Sequence, residues 1–265
     1  MKITTWNINS VRLRMPIVAH LLKTKAPDVL CLQETKCRDA EFPMKDFTSL
    51  GYHHVAINGQ KGYHGVAVIS KRPLWMIEKR AFCTTGDARH ISVEVESKGG
   101  PITLHNFYVP AGGDEPDVDI NPKFAHKLGF LDEMTKWGED GAAKGRVAMV
   151  GDLNIAPLEH DVWSHKALLK VVSHTPVEVE KLGKVFQAGN WIDAMRRFVP
   201  AEEKLYTWWS YRAADWAASN RGRRLDHILV SEALGGALQR LEVLTEARGW
   251  ERPSDHVPVT IELSE

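Results

Sequence analysis

The sequence predicts an α/β fold in which two β-sheets pack face to face and helices cover their outer surfaces. A segment with helical periodicity precedes a buried, β-prone run at 28–34, and a second such segment precedes a similar run at 146–154. Four further strand-like runs lie within residues 53–110. Two successive groups of strands, each accompanied by helices, indicate two sheets in separate layers.

The chain opens with a predicted β-α-β unit. Residues 2–8 are typical of a strand, and apolar residues then recur at helical spacing, with Ser10 expected to cap the helix. The run at 28–34 is short and apolar, which predicts a buried strand. Asn7 and Glu34 therefore stand where these two strands end.

The rest of the chain continues the alternation of strands and helices. A short helix is expected near 43–49, followed by the strand-like segments HHVAIN, GVAVIS, ISVEVES and ITLHNFYVP. An amphipathic helix at 121–137 leads to the buried run already described. The stretch 158–190 is expected to contain helix and loop without defined boundaries. Two final strands are predicted within 223–231 and 257–265.

Length and composition favour one large domain, which we expect to span residues 1–265. Apolar residues make up 43% of the chain, which is enough for a substantial core. Lys+Arg and Asp+Glu both number 34, so the net charge creates no general attraction to polyanions. Any nucleic-acid surface must therefore be local.

The cysteines and the hydropathy pattern indicate the cellular compartment of the protein. The three cysteines are odd in number and lack CxxC spacing, which argues against a disulfide framework and a zinc site. No stretch approaches the ~18 apolar residues of a membrane span, and the N-terminus lacks the apolar core of an export signal. We expect a cytoplasmic protein with no membrane partner, and we expect it to be a monomer.

Five short polar clusters accompany the β-prone runs: TWNIN (5–9), QET (33–35), GDLN (151–154), RRLDHI (223–228) and SDHVPV (254–259). Carboxylate and amide oxygens are the ligands that Mg²⁺ and Mn²⁺ prefer, and histidine suits acid-base chemistry. The set predicts metal-assisted hydrolysis of a phosphoester. Taken alone, QET is more typical of a solvated loop, and the asparagines of TWNIN are equally typical of a turn.

Two of the clusters carry most of the predicted chemistry. Asp152 and Asn154 would face the same side if the strand continued, although a strand-to-turn Asx motif is the alternative. His256 can act as a base, a cationic phosphate partner or a metal ligand, and Asp226 could hold its second ring nitrogen. His227 alternates with Asp226 and is expected to be structural.

The motifs TWNINSVR, LCLQETK, GVAVISK, NFYVP, VGDLNIAP, RRLDHILVS and SDHVPV resemble those of the exonuclease III family of abasic-site endonucleases, in order and over essentially the whole chain. The resemblance implies a four-layer α/β/β/α sandwich of the DNase I-like kind. It also implies a Mg²⁺-dependent DNA repair nuclease, with Mn²⁺ as a substitute ion, acting on duplex DNA with abasic sites or blocked 3′ ends. The implied activities are cleavage 5′ to an abasic site, 3′-to-5′ exonuclease and 3′-phosphodiesterase activity.

The same resemblance implies roles for individual residues. Asp152 orients or deprotonates the attacking water, Asn154 stabilises the transition state by hydrogen bonding, and Asp226 and His256 complete the reacting core. The hydroxyl of Tyr108 reaches the phosphate or the leaving group, although strand tyrosines commonly serve core packing instead. The implied metal-site residues are Asn7, Glu34, Asp152, Asn154, Asp255 and His256.

A stretch rich in Trp and Arg, residues 206–224, is the candidate DNA surface. Apolar rings can wedge into a distorted duplex, and guanidinium groups bind phosphates. The predicted DNA-binding residues are Arg89, Trp208, Trp209, Arg212, Trp216, Arg221 and Arg223. For each, the alternative is a tryptophan that caps the core or an arginine that pairs with an acid. The chain departs from the family pattern at Ala111, which cannot hydrogen-bond to a DNA backbone, and at Asn9, where some relatives have a carboxylate.

Two other functions compete with DNA repair. One is a superfamily phosphoesterase acting on a small-molecule or lipid phosphoester, against which the missing export signal and membrane helix argue. The other is a nucleic-acid-binding module with a decayed site, which would require a gap in the set Glu34, Asp152, Asn154, Asp226 and His256. All five residues are present.

Overall fold

Two six-stranded sheets form the centre of the molecule in a computed structural model, which describes residues 1–213 and 215–265. The first sheet contains, in spatial order, β13 (Leu238–Val243), β14 (Val259–Leu263), β1 (Lys2–Asn7), β2 (Val29–Gln33), β4 (Val66–Ser70) and β3 (His54–Asn58). The second contains β5 (Leu74–Glu78), β6 (His90–Val95), β7 (Ile102–Tyr108), β8 (Val147–Asp152), β12 (Asp226–Val230) and β9 (Ile192–Asp193). A small ribbon pairs β10 (Trp208–Trp209) with β11 (Gly222–Arg223).

Helices flank the sheets, which confirms the predicted fold class. The helices are α1 (Val11–Thr24), α2 (Met44–Ser49), α3 (Pro122–Glu139), α4 (His165–Leu168), α5 (Pro176–Ala188), α6 (Trp216–Ser219) and α7 (Glu232–Gly235). Short 3₁₀ turns occupy Asp39–Glu41, Glu159–Asp161 and Thr245–Gly249. No helix in the described ranges is both long and apolar enough to cross a membrane.

Three apolar clusters define the layers. The central cluster joins the facing sides of the two sheets, with Ile3 and Val68 from one sheet meeting Val93 and Val150 from the other. A second cluster packs α1 on the outer face of the first sheet, and a third packs α3 and α5 on the outer face of the second. Burial on both faces explains why the central strands are continuous apolar runs.

Some local predictions were incomplete or wrong. Strands β5 and β13 escaped prediction because they lie at sheet edges, where exposed side chains such as Met76 obscure the alternation of apolar residues. Ser10 precedes α1 with φ of 87° and makes no side-chain cap bond. The undefined stretch 158–190 contains α4 and α5, and α5 begins with a capping box between Thr175 and Glu178.

Strand direction brings the polar clusters to one edge of the sandwich. Strands β1 and β2 are parallel, as are β7 and β8, so their carboxyl ends share that edge. Strand β12 runs antiparallel to β8 and places Asp226 directly opposite Asp152. Strand β14 runs antiparallel to β1, which brings the residues just before it to the same edge.

A buried histidine pair in the second sheet predicts sensitivity to acid. His90 Nε2 lies 3.0 Å from His105 Nδ1, and burial lowers the pKa of both rings, that of His105 to about 3. The unfolded chain binds a proton near pH 6.5, so this stability is complete above that pH and falls as the pH drops toward 3. We expect His105 to account for a loss of roughly 2 kcal/mol in unfolding free energy by pH 5.

Chemical denaturation measured between pH 7 and pH 4.5 checks this expectation. The stability of His105→Gln should depend less steeply on pH than that of the wild type. His53→Gln, which changes an exposed histidine, should keep the wild-type slope. Equal slopes for all three proteins would contradict the assignment.

Candidate active site

Asn7 joins two carboxylates at the sheet edge. Its Nδ2 donates to Glu34 Oε1 at 2.9 Å and to Asp152 Oδ2 at 2.9 Å, while its Oδ1 accepts from the backbone N–H of Asn9 at 3.1 Å. Both amide hydrogens are therefore used to orient carboxylates. Asn7, which the family resemblance placed at the metal site, therefore lies between two of the other residues implied there.

Glu34 follows β2 with a left-handed φ of 51° and presents its carboxylate to three donors. Lys36 Nζ lies 2.8 Å from Oε2, and the Tyr108 hydroxyl and Asn7 Nδ2 each donate to Oε1 at 2.9 Å. Burial opposes ionisation, but Lys36, Asn7 and the more distant charge of His256 lower the pKa of Glu34 below its ordinary value. Glu34 is therefore ionised at neutral pH. Sequence analysis did not identify Lys36.

Asp152 and Asn154 meet through a turn, so of the two alternatives the strand-to-turn Asx motif describes this loop and the continuing strand does not. Asn154 has φ of 55°, and its backbone N–H donates to Asp152 Oδ1 at 2.9 Å. Its Nδ2 donates to Val109 O at 2.9 Å and to Asp152 Oδ2 at 3.2 Å. These acceptors engage both amide hydrogens and leave Oδ1 to face a ligand. In this arrangement the side-chain amide oxygen of Asn154 is suited to accepting a hydrogen bond or binding a cation.

His256 lies between two buried carboxylates, and its predicted contact with Asp226 is confirmed. Its Nδ1 is 2.8 Å from Asp226 Oδ2, which also accepts from Thr207 Oγ1 at 2.6 Å, and its Nε2 is 3.6 Å from Asp152 Oδ2. Burial alone would lower the pKa of His256, but Asp226 and Asp152 outweigh it and raise the pKa to about 10. The ring is therefore an imidazolium at neutral pH.

Burial has the opposite consequence for Asp152. Removal from water raises the pKa of its carboxyl to about 7, although the charge of His256 and the Asn7 hydrogen bond oppose the shift. An aspartate with that pKa is a far better proton acceptor near neutral pH than an exposed one. His227, by contrast, points away from this group, and its Nε2 lies 2.8 Å from Ile155 O, which confirms its predicted structural role.

Tyr108 lies at the end of β7, and the guanidinium of Arg89 packs over its ring. The guanidinium of Arg89 lies 5.1 Å from the ring centroid, donates to Tyr108 O at 3.3 Å and pairs with Asp87 at 3.3 Å. Burial and the carboxylates of Glu34 and Asp152 raise the pKa of Tyr108 well above 10. The hydroxyl is therefore a neutral donor. Arg89 is only 8% exposed, so its main contacts are within the protein.

Asp255 lies at the rim of the site, next to the stretch rich in Trp and Arg. Trp208 Nε1 donates to Asp255 Oδ2 at 2.9 Å, and Asn9 Nδ2 donates to Oδ1 at 3.3 Å. Lys36 Nζ in turn donates to Asn9 Oδ1 at 2.5 Å. Asn9 thus connects the two sides of the site through hydrogen bonds, and the indole of Trp208 orients a carboxylate.

A cavity of about 740 Å³ opens beside these groups. Its walls include the predicted residues Trp208, Arg212, Arg221 and Arg223, together with Ala111, and they include two apolar residues that sequence analysis missed, Trp163 and Leu168. The Arg221 guanidinium lies 4.7 Å from the Trp163 ring centroid and that of Arg223 lies 5.2 Å from the Trp208 ring centroid. The cavity therefore offers both aromatic faces and positive charge next to the carboxylates.

Other members of the Trp-rich stretch serve the core. Trp209 is 3% exposed and packs edge-to-face on Trp216, with 5.3 Å between ring centroids. Arg224 is fully buried, bidentate on Asp161 at 2.7 and 2.9 Å and bonded to Asp193 at 2.7 Å. Trp209 also borders the cavity, whereas for Arg224 the structural alternative describes the observed contacts.

The donor set fits a hard divalent cation. Ligand atoms of Asp152, Asp226 and His256 lie within 4.8 Å of one another, but the imidazolium of His256 has no lone pair for a metal. Oxygen atoms are the better candidates: the carboxylates of Glu34 and Asp152, the amide oxygen of Asn154, and Asp255 at the rim. Carboxylate and amide oxygens suit Mg²⁺ or Mn²⁺.

Two facing sheets with carboxylates, an imidazolium and a tyrosine hydroxyl at one edge define a phosphoester hydrolase of the two-sheet sandwich class. Residues 4–256 match the model of the endonuclease/exonuclease/phosphatase family, and the chain belongs to that family.

The similar proteins of known name are nucleases and a DNA phosphatase. The chain is 32% identical to exodeoxyribonuclease III of Haemophilus influenzae, over 99% of this chain and 100% of that one. Among solved structures, an AP endonuclease from Archaeoglobus fulgidus matches with a TM-score of 0.92 and 31% identity, with complete coverage of both chains. The 3′ phosphatase NExo from Neisseria, bound to a product DNA hairpin, matches with a TM-score of 0.91 and 34% identity, again with complete coverage of both chains.

Proposed function

We propose that this protein is a Mg²⁺-dependent DNA repair nuclease that cleaves the phosphodiester 5′ to an abasic site in duplex DNA and also acts on 3′ ends as an exonuclease and 3′-phosphodiesterase. The observation that carries the proposal is the hydrogen-bonded group of buried Asp152, Asn7, His256 and Asp226 with the partly exposed Glu34, beside an arginine- and tryptophan-lined cavity. All of these residues come from one chain, which supports action as a monomer. Three free thiols suit the reducing cytoplasm.

The side chains divide the work of hydrolysis. A phosphodiester is protected by its negative charge, so cleavage needs charge stabilisation, an oriented water and help for the leaving oxygen. Asp152 orients the water and accepts its proton, as its raised pKa allows. The imidazolium of His256 binds a phosphate oxygen, and Asp226 keeps that ring protonated. The neutral hydroxyl of Tyr108, which donates to Glu34 in this structure, would redirect its hydrogen toward the phosphate or the leaving oxygen when substrate is bound.

Glu34, Asp152, the amide oxygen of Asn154 and Asp255 would hold the metal ion. When bound, Mg²⁺ supplies positive charge to the phosphate and lowers the pKa of water. Asn7 keeps Glu34 and Asp152 aimed at the same region. Removal of the ion with EDTA should therefore abolish turnover.

A duplex with a single abasic analogue tests the function. Purified protein with Mg²⁺ should cut 5′ to the lesion, and EDTA should stop the reaction. Reaction rates on matched duplexes, one with a 3′-phosphate and one with an ordinary 3′ end, would rank the activity at blocked 3′ ends and the exonuclease activity against cleavage at the abasic site. No cleavage of any of these DNAs, or cleavage undiminished by EDTA, would refute the proposal. Hydrolysis of a small-molecule phosphoester alone would favour the alternative phosphoesterase.

Asp226→Asn tests the proposed mechanism. Without the carboxylate, His256 loses its main source of positive charge at neutral pH, and we expect kcat to fall by about 100-fold or more with little change in KM. Single-turnover rates and DNA affinity on the abasic duplex separate these effects. Glu180→Gln, on the exposed face of α5, should behave as wild type. An unchanged rate in Asp226→Asn would remove Asp226 from the mechanism.

A further inference from the structure

A completely buried lysine lies behind the catalytic loops. Lys127 on α3 has 0% exposure, and its Nζ donates to Asn154 O at 2.8 Å and to Ala111 O at 3.2 Å. The same atom lies 2.5 Å from Glu178 Oε1. An ammonium has three hydrogens, and these three acceptors engage all of them.

The two carbonyls belong to different loops of the site. Asn154 lies in the loop after β8, which carries Asp152, and Ala111 lies in the loop after β7, which carries Tyr108. The backbone of Asn154 is left-handed, so its N–H turns toward Asp152 while its C=O turns inward to Lys127. One ammonium thus connects the two loops that directly follow the proposed base, Asp152, and the proposed hydroxyl donor, Tyr108.

The partner of Lys127 extends this connection to the cavity wall. Glu178 accepts from the backbone N–H groups of Ser173 and Thr175 at 2.9 to 3.1 Å, and the Ser173 hydroxyl accepts from Arg223 Nη1 at 2.8 Å. A continuous set of bonds therefore runs from Asn154 through the buried ion pair to an arginine of the cavity.

Stability alone does not account for this pair. Burial lowers the pKa of Lys127, with Glu178 opposing the shift, and buried ion pairs are frequently no more stabilising than apolar side chains of similar size. What an apolar side chain cannot do is donate to two loop carbonyls. The specific contribution of the ammonium is therefore the orientation of the loops.

We propose that Lys127 is a positioning residue that sets kcat by fixing the backbone at Asn154 and Ala111, without touching the substrate. This inference rests on the proposed nuclease function. Since misplacement of a reacting group by about 1 Å can cost on the order of 100-fold in rate, we expect Lys127→Met to lower kcat by about 10- to 100-fold, with KM for DNA changed less than about threefold.

The test measures kcat and KM per folded active site, together with amide hydrogen exchange across residues 152–156. Lys127→Met should lower kcat and speed exchange there, whereas Lys127→Gln, which retains an amide donor, should recover part of both. Lys184→Met, on an exposed lysine of α5, should match wild type. If Lys127→Met does not fold, Lys127→Gln alone carries the comparison with wild type.

The outcomes separate this inference from the function on which it rests. If the wild type cleaves none of the DNAs, the proposed function fails, and hydrogen exchange at 152–156 then decides whether Lys127 fixes the loop. If the wild type is active and both Lys127 variants keep wild-type kcat per folded enzyme, the positioning role is overturned. A change confined to KM would overturn it as well.

Discussion

Asp152→Asn is expected to lower kcat on the abasic duplex by a factor on the order of 10³ while leaving the fold intact. Asparagine has the same shape, so the bond to the backbone N–H of Asn154 can remain. It has no basic oxygen, however, and cannot accept the proton of the attacking water. The substitution also removes one of the three carboxylates that raise the pKa of His256.

Single-turnover kinetics at saturating enzyme would measure the loss, and fluorescence anisotropy with labelled duplex would measure binding. We expect affinity to stay the same or to rise, since a negative charge facing phosphate is removed. Asp132→Asn is the matched control, because that carboxylate is exposed on α3. A kcat within tenfold of wild type would show that Asp152 is not the base.

Arg224→Met is expected to reduce the free energy of unfolding by about 3–5 kcal/mol. The guanidinium is fully buried and bonds Asp161 and Asp193, so its removal leaves Asp193 without this partner and Asp161 dependent on Arg196. Methionine fills much of the same space, which limits the cavity contribution to the loss. The cost comes from the partly buried Asp193 carboxylate, which loses its counter-charge, and from the buried Asp161 carboxylate, which keeps only Arg196.

Urea denaturation at pH 7 would measure this loss. Arg240→Met is the matched control, because Arg240 is exposed on β13 and its ion pair with Glu262 spans 4.0 Å; a change below about 0.5 kcal/mol is expected. Arg224 lies two residues before Asp226, so the variant should also increase the mobility of the backbone at Asp226. Wild-type stability in Arg224→Met would contradict the importance assigned to this buried network.

Many residues of the candidate active site were predictable because each follows a short sequence pattern that predicts a strand. Asn7, Glu34 and Asp152 each stand at the end of an apolar β-prone run, and parallel strand order brings such ends together. The contact between Asp226 and His256 followed from their residue types and their place at strand starts. The six-stranded sheets were less accessible, since edge strands such as β5 carry exposed apolar side chains and no clear alternation.

The sequence did not predict which of two adjacent residues of the same type contacts the site. Arg223 lines the cavity while Arg224 is buried on acids, and Trp208 binds a site carboxylate while Trp209, which borders the cavity, is only 3% exposed and packs mainly in the core. Alternation along β10 separates the two tryptophans, and Arg224 follows the last residue of β11, but which member of each pair contacts the site depends on the segments packed against it. Lys127 carries no local signal at all, because its acceptors come from three separate segments.

The order of strands and helices, the chemistry of the ligand oxygens and the family motifs are properties of short stretches, and the amino-acid sequence specifies them directly. The protonated state of His256, the raised pKa of Asp152, the ligand-facing side-chain amide oxygen of Asn154 and the ammonium of Lys127 buried behind it arise only when distant segments meet. The reason is physical: pKa values and donor directions depend on burial and on charges a few ångströms away in space, and those neighbours are set by the packing of the two sheets.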